Sequence, residues 1–185
     1  MKEKIAFVCQ RYGLEVNGGA ELYCRQMAEK LAAVYDVAVY TTCAIDYVTW
    51  KDEYQPGVEE INGVTVYRYR VDYERSQKPF KSNFQQSPWK SKAYGCRRRK
   101  MDRCTRPGLL ETTGGPQTEP YQIQDGHFYD NLYYLTVKGS EYRFDNSILI
   151  PTVHDEPPVY LRCYDEVFCS AKGIIWNTPE EKDFA

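Results

Sequence analysis

The first forty-two residues follow the order strand, glycine-rich loop, helix, strand, and no other feature limits the fold as strongly. Residues 5–9 are a short apolar run, as expected of a strand covered on both faces. Residues 10–19 are rich in glycine and asparagine, residues 20–33 have helical periodicity, and residues 36–42 are a second apolar run. Two strands joined by one helix in so short a span predict a right-handed βαβ unit with a parallel pair.

The helix of this unit is amphipathic. Its small and apolar residues recur on one stripe, whereas Glu21, Arg25 and Glu29 recur at four-residue intervals on another. We therefore expect these three charges on the polar side of the helix.

A β-hairpin follows the second strand. Asn62-Gly63, the strongest short signal for a type I′ turn, separates residues 58–61 from residues 64–71. The second arm alternates, so that Arg68 shares a face with Val64 and Val66.

The C-terminal part again alternates between strands and helices. Strands are predicted over 132–137, 147–153 and 173–176, with a helix over 160–171. The sequence predicts the start of a further helix, with Thr178 as N-cap, Pro179 at the first helical position and Glu181 completing a capping box. Because the chain stops at Ala185, we expect the natural protein to continue.

The middle segment, residues 76–127, has no sustained period and is predicted to be irregular. Within it, residues 78–106 hold ten Lys or Arg against one acid, although the net charge of the chain is −2. A nucleic-acid-binding protein is not expected from this balance. Peripheral contact with an anionic membrane surface stays open for the basic segment, but a solvated loop is favoured because no amphipathic period supports insertion.

Composition and cysteine spacing indicate the cellular location of the protein and whether it binds a metal. No apolar window approaches the ~18 residues of a membrane span, and the apolar run at the N-terminus is shorter than a secretory one. We expect a cytoplasmic protein, and peripheral contact with the inner face of the membrane stays an open alternative. The seven Cys include no C-x-x-C pair, so reduced thiols and no metal site are predicted.

The Gly18-Gly19 turn lies between the carboxyl end of the first predicted strand and the start of the first predicted helix. In open α/β sheets this edge forms the ligand crevice, and a helix start favours phosphate. The spacing is neither that of a dinucleotide fingerprint nor that of a P-loop, so a plain tight turn stays an alternative. A methyltransferase is disfavoured by the same missing glycine spacing.

His154 ends the strongest C-terminal strand, again at a carboxyl end, and is either a functional residue or a hydrogen-bonded structural one. A metal held by His154 and its two acidic neighbours is disfavoured, because three adjacent residues cannot easily converge on one ion. No nucleophile–base pair can be argued from the pattern.

Four motifs, in order, resemble the N-terminal domain of GT-B glycosyltransferases of family 4. They are residues 11–21, the hairpin turn 60–64, residues 148–158 and residues 171–178. The resemblance covers about residues 3–75 and 128–185 and implies a single Rossmann-like domain over 1–185. It further implies a doubly wound, mostly parallel sheet with an inserted β-hairpin. Residues 89–127 depart from the family, through an insertion, divergence or a reading-frame excursion.

The resemblance also implies an activity. Such enzymes transfer a sugar from a nucleotide-sugar to a carbohydrate or lipid-linked acceptor, usually with retention and without a metal or other cofactor. By motif, Gly18 and Gly19 would approach the donor phosphates and His154 would lie by the donor sugar as the catalytic candidate. Asn17, Glu21 and Asp155 complete the predicted substrate-binding set.

Family members bind the nucleotide-sugar mainly with a second domain, to which nothing in this chain corresponds. We therefore expect the chain alone to be inactive. The alternative is a non-catalytic α/β module that binds an anionic ligand or partner.

Overall fold

The computed structural model describes residues 2–72, 126–129, 136, 147–154 and 162–184. These residues form an α/β fold around one sheet. The elements are β1 (Lys4–Val8), α1 (Gly19–Leu31), β2 (Asp36–Thr42), β3 (Gly57–Ile61), β4 (Val64–Tyr69), β5 (Gly126–Tyr129), β6 (Ile148–Ile150), α2 (Arg162–Ser170), β7 (Gly173–Ile174) and α3 (Pro179–Phe184).

The strands of the described residues lie in the order β3-β4-β2-β1-β5-β6-β7. Every neighbouring pair is parallel except the β3–β4 hairpin. The strands β1 and β2 pair in register, with Ala6 opposite Ala38. The predicted βαβ unit and the mostly parallel sheet with an added hairpin are thereby confirmed.

The main core lies between α1 and the centre of the sheet. Cys24 and Ala28, from the predicted apolar stripe of the helix, are fully buried against β1, β2 and β4. The buried members of this cluster are Phe7, Cys9, Tyr12, Cys24, Ala28, Val37, Val39, Val64, Val66 and Ile150. A smaller cluster of Leu149, Tyr164 and Val167 joins α2 to β6.

The hairpin turn has the predicted geometry. Asn62 and Gly63 have φ angles of 51° and 81°, and two positive φ angles in succession define a type I′ turn. Asparagine and glycine adopt this region at the lowest steric cost, so two residues determine the register of the whole hairpin. The arm residues Val64, Val66 and Arg68 share the buried face, as the alternation indicates.

Several boundaries differ from the predictions, most clearly in three segments. Strand β5 begins at Gly126, so residues 126 and 127 are not irregular; the rest of the segment 76–127 lies outside the described residues. Of the predicted strand 132–137 only Thr136 is described, and it is helical. The predicted strand 147–153 is reduced to the three residues of β6.

The start of α3 departs from a simple capping box. The Thr178 hydroxyl accepts a hydrogen bond from the Glu181 N–H at 3.1 Å, as predicted for an N-cap. The Glu181 carboxylate, however, accepts from the N–H groups of Asn177 at 2.6 Å and Val153 at 2.9 Å. It therefore ties the helix to the chain that leaves β6, which a local motif cannot predict.

Two wider findings concern the part of the chain that the structure describes. It contains no helix long and apolar enough to cross a membrane. Cys9, Cys24, Cys43 and Cys169 are free thiols.

Candidate functional site

The parallel strands end at one edge of the sheet, here called the carboxyl edge. The loops at this edge include residues 9–18 after β1, residues 43–56 after β2 and residues 151–154 after β6. Because this is where open α/β sheets bind ligands, the side chains of these loops decide what the protein can do.

The Gly18-Gly19 turn starts α1, and its two glycines lie in different surroundings. Gly18 is the N-cap residue with φ 154°, and the Glu21 carboxylate packs where a Gly18 side chain would project. Gly19 is the first helical residue, is exposed, and has no atom within 4 Å of the position a Cβ would take. Both glycines are exposed, but the Cβ position is open only at Gly19, because the Glu21 carboxylate occupies it at Gly18.

Glu21 is buried, with 5% of its surface exposed, and forms an ion pair with Arg11. The side-chain amide of Gln10 donates a second hydrogen bond to the same carboxylate at 3.3 Å. Glu21 shares its stripe with Arg25 and Glu29, yet only those two lie partly exposed, in an i,i+4 ion pair at 3.8 Å. The expectation that Glu21 lies on the polar side of the helix is thus wrong, because a buried guanidinium compensates its charge.

Arg11 connects three segments of the carboxyl edge. Besides pairing with Glu21, its two terminal nitrogens donate to the carbonyl oxygens of Ile45 at 2.8 Å and Asn17 at 3.2 Å. The guanidinium carbon also lies 5.6 Å from the ring centre of Tyr47 and 6.0 Å from that of Trp50. Arg11 therefore holds the glycine turn, the loop after β2 and the first turn of α1 in one arrangement. Sequence analysis missed this role, since nothing near Arg11 in the chain indicates a buried partner.

Arg68 is the second buried arginine, with 2% of its surface exposed. It donates to the Tyr12 carbonyl oxygen at 2.7 Å and pairs with Glu59, and its guanidinium stacks 3.7 Å from the ring centre of Tyr54. It therefore fixes the start of the loop after β1, while Arg11 fixes its end. The alternation of β4 indicated the face on which Arg68 lies but not these partners.

Tyr54 extends this contact to the surface. Its hydroxyl donates to the carboxylate of the exposed Glu15. Burial, followed by this hydrogen bond, raises the pKa of Tyr54 to about 12, and the same bond lowers the pKa of Glu15.

The loop after β2 is organised by Asp46. Its carboxylate accepts hydrogen bonds from the N–H groups of Val48 and Thr49, at 3.1 and 2.9 Å, and from the Thr49 hydroxyl at 2.8 Å. These bonds lower its pKa. Trp50 follows, buried and with φ 55°. Asp46 therefore shapes the turn that carries Tyr47 and Trp50 to Arg11.

The predicted site residues fall into three groups. Asn17, Gly18, Gly19 and Glu21 lie together at the start of α1. His154 is exposed at the same carboxyl edge, on the chain leaving β6, two strand positions or roughly 10 Å from β1. Asp155 lies outside the described residues.

A cavity among the described residues lies at the opposite edge of the sheet. It has a volume of about 390 Å³ and is lined by Lys2, Lys4, Tyr35, Asp36 and Gly63, among others. Lys2 itself donates to the carbonyl oxygens of Ala32 and Ala33 at the end of α1. This cavity therefore includes none of the predicted site residues.

Among the groups that the carboxyl edge offers a ligand are the backbone N–H groups at the start of α1 and the imidazole of His154. The N–H groups of the first turn of an α-helix have no acceptor within the helix, and Gly19 leaves them accessible. No group of three or more potential metal-ligating side chains occurs in the described ranges. No protein-family model matches this chain, and no curated protein is significantly similar to it.

Proposed function

We propose that this chain is the acceptor-side, Rossmann-like domain of a GT-B glycosyltransferase, with a doubly wound sheet. The complete protein would transfer a sugar from a nucleotide-sugar to a carbohydrate or lipid-linked acceptor with retention. The single observation that supports this most directly is the open approach to Gly19 at the carboxyl edge of a mostly parallel sheet. The order of the four family-like motifs supplies the reaction class.

In this proposal Gly18, Gly19 and Glu21 have separate tasks. Gly19 lets a phosphate oxygen reach the N–H groups at the start of the 13-residue helix α1, whose dipole favours negative charge. Gly18 permits the chain to turn with φ 154° and leaves room for the Glu21 carboxylate. Phosphate therefore binds beside Gly19, and Gly18 and Glu21 serve the shape of the turn.

His154 is the group best placed to approach the donor sugar. It is exposed at the carboxyl edge, so its ring can reach a ligand there. An imidazole can donate a hydrogen bond to a sugar hydroxyl or accept one from it. This role requires the donor sugar to lie across β5, between the glycine turn and the end of β6.

The chain alone provides one wall of the cleft. Holding two reactants together supplies about 7–11 kcal/mol of a typical barrier, which a single wall cannot provide. Each N–H contact at an exposed helix start contributes only about 0.5–1.5 kcal/mol, while association costs about 4 kcal/mol or more. We therefore expect roughly millimolar binding of nucleotide-sugars and no transfer by the chain alone.

A titration monitored by NMR tests the proposal. The amide signals of Gly19 and Ala20 in the 185-residue chain are followed as UDP-, GDP- and ADP-sugars are added. We expect at least one of them to shift these signals with millimolar affinity, and Gly19→Val to abolish the shifts by blocking phosphate approach. Gly173→Val is the matched control, because Gly173 also has no atom within 4 Å of a Cβ position but lies in β7.

Two results would contradict the proposal. If Gly19→Val and wild type bind alike, the phosphate does not use this turn. If the chain alone transfers sugar, and His154→Ala abolishes the transfer, the second domain is not required.

The alternative function is a non-catalytic module that binds an anion. It is favoured by the fact that an open helix start accepts any phosphate group, whatever is attached to it. Pyrophosphate that binds as tightly as every nucleotide-sugar would support this alternative. A preference of about tenfold or more for one nucleotide-sugar would support the glycosyltransferase.

A further inference from the structure

The Arg11–Glu21 pair is the most completely enclosed charged contact at the carboxyl edge. The side chains of Arg11 and Glu21 are 5% and 6% exposed, and they lie directly beside the turn proposed to receive phosphate. By residue type, either could bind a ligand there: the guanidinium as a partner for phosphate, the carboxylate as a partner for sugar hydroxyls. Their contacts indicate a different role.

The terminal nitrogens of Arg11 and one carboxylate oxygen of Glu21 bind the protein itself, whereas the buried Nε of Arg11 has no hydrogen-bond partner among the described residues. The Glu21 carboxylate faces Arg11 and the side-chain amide of Gln10. The terminal nitrogens of Arg11 bind Glu21 and the carbonyl oxygens of Asn17 and Ile45. The rings of Tyr47 and Trp50 lie beside the guanidinium.

The pair is therefore built into the turn and is not held open for a ligand. Glu21 packs against Gly18 from within the helix, while Arg11 holds the Asn17 carbonyl from outside it. Between them they determine the direction in which the turn enters α1. That direction decides where the accessible N–H groups at Gly19 point.

We propose that Arg11 and Glu21 are positioning residues, which fix the Asn17–Gly19 turn against the loop after β2 without contacting the ligand. The inference rests on the proposed function for the identity of the ligand. It assigns to Glu21 a role other than the substrate binding that the sequence motif suggests.

A pair of double variants provides the test. Arg11→Met/Glu21→Met removes both charges at similar volume, an exchange that buried ion pairs often tolerate. Arg25→Met/Glu29→Met is the matched control, because it removes the partly exposed ion pair of the same helix. In each variant we would measure the backbone order parameters of Asn17, Gly18 and Gly19 and the dissociation constant for inorganic pyrophosphate.

For Arg11→Met/Glu21→Met we expect a folded protein whose turn is mobile. The order parameters should fall from about 0.85 to below about 0.6, the values that separate rigid from flexible backbone. Pyrophosphate binding should weaken by about tenfold, the usual scale of a lost positioning contact of about 1.4 kcal/mol. Arg25→Met/Glu29→Met should change neither quantity.

Unchanged order parameters in a folded Arg11→Met/Glu21→Met protein would overturn the inference. Tighter pyrophosphate binding by Glu21→Gln than by wild type would also overturn it, since Glu21 would then compete with the ligand for Arg11. If the double variant does not fold, Glu21→Gln provides the order parameters. No binding of pyrophosphate or any nucleotide-sugar by wild type would refute the proposed function, while the order parameters still decide the positioning role.

Discussion

Two helices start at the carboxyl edge with a buried glutamate at their third position, and the two buried carboxylates have different partners. In α1, Glu21 faces the buried guanidinium of Arg11. In α3, Glu181 is 8% exposed and accepts hydrogen bonds from the N–H groups of Val153 and Asn177. Both carboxylates complement the positive end of a helix dipole, and both tie the helix to a loop that follows a strand.

The difference lies in what each carboxylate balances. Glu181 satisfies neutral backbone donors, so its removal leaves polar groups without a partner but no buried charge. Glu21 balances a full charge, so its removal leaves a guanidinium in the protein interior. The N-terminal region is therefore organised by charges, and the C-terminal region by hydrogen bonds to the backbone.

The largest expected effect is that of Glu21→Ala. Removing one partner of a buried ion pair destabilises a protein by about 3–5 kcal/mol, because the remaining charge has lost both water and its partner. Urea denaturation measures the change in the free energy of unfolding. Glu29→Ala is the control; it breaks a partly exposed i,i+4 pair on the same helix and an exposed hydrogen bond from the Asn62 side chain, and should cost no more than about 1 kcal/mol.

A loss at Glu21 no larger than that at Glu29 would contradict this prediction. It would mean that water reaches Arg11 easily, and the contrast between the two regions would disappear.

The next effect in size is that of Glu181→Ala. It leaves the N–H groups of the buried Val153 and the exposed Asn177 without their acceptor, and the buried donor alone costs about 1–3 kcal/mol. Hydrogen exchange should show faster opening at these two amides first, because they lie at the end of the described sheet. Equal acceleration throughout β1 and β2 would show instead that the helix α3 supports the whole fold.

The same two glutamates show what could be predicted from sequence. The start of α3 was found because Thr178, Pro179 and Glu181 form a local signal, and the Thr178 half of it is confirmed. The distant partner of each carboxylate could not be predicted, since Arg11 lies ten residues from Glu21 and Val153 lies 28 residues from Glu181. Only the folded sheet brings such residues together.

Elements with local signals were predicted well, and elements that depend on their neighbours were not. The predictions of strand β2 and of the Asn62-Gly63 turn agree with the structure, because a few adjacent residues determine an apolar run or a pair of positive φ angles. Strand β5 was missed because Gly126–Tyr129 has no period of its own and is a strand by pairing with β1 and β6. The position of His154 at the carboxyl edge followed from the strand order, whereas the environment of the glycine turn needed Arg11.

The third prediction concerns two adjacent glycines, whose substitutions should have opposite signs. Gly18→Ala requires a side chain at φ 154° and against the Glu21 carboxylate, at a cost of about 1–3 kcal/mol. Gly19→Ala meets no atom within 4 Å and restricts the unfolded chain, which should stabilise the protein by about 0.4–1 kcal/mol. Thermal unfolding of the two variants measures both. Equal destabilisation would show that the turn is uniformly enclosed, against the open approach at Gly19.

The smallest expected effect depends on pH and tests the charged organisation of the N-terminal region. The folded protein raises the pKa of Tyr54 to about 12, through burial and then the hydrogen bond to Glu15. An unfolded tyrosine titrates near 10. Below pH 10 both states keep the proton, so Tyr54 adds no pH dependence there. Between about pH 10 and 12 the unfolded chain loses the proton first, so the free energy of unfolding should fall as pH rises. Because the ring is only half-buried, solvent screening should keep this contribution below about 1 kcal/mol.

Tyr54→Phe should remove this contribution, giving a shallower decline in the free energy of unfolding than wild type above pH 10 and the same slope between pH 7 and 9. Identical slopes above pH 10 would mean that the hydroxyl is solvated as in the unfolded chain and that its bond to Glu15 contributes nothing to the loop.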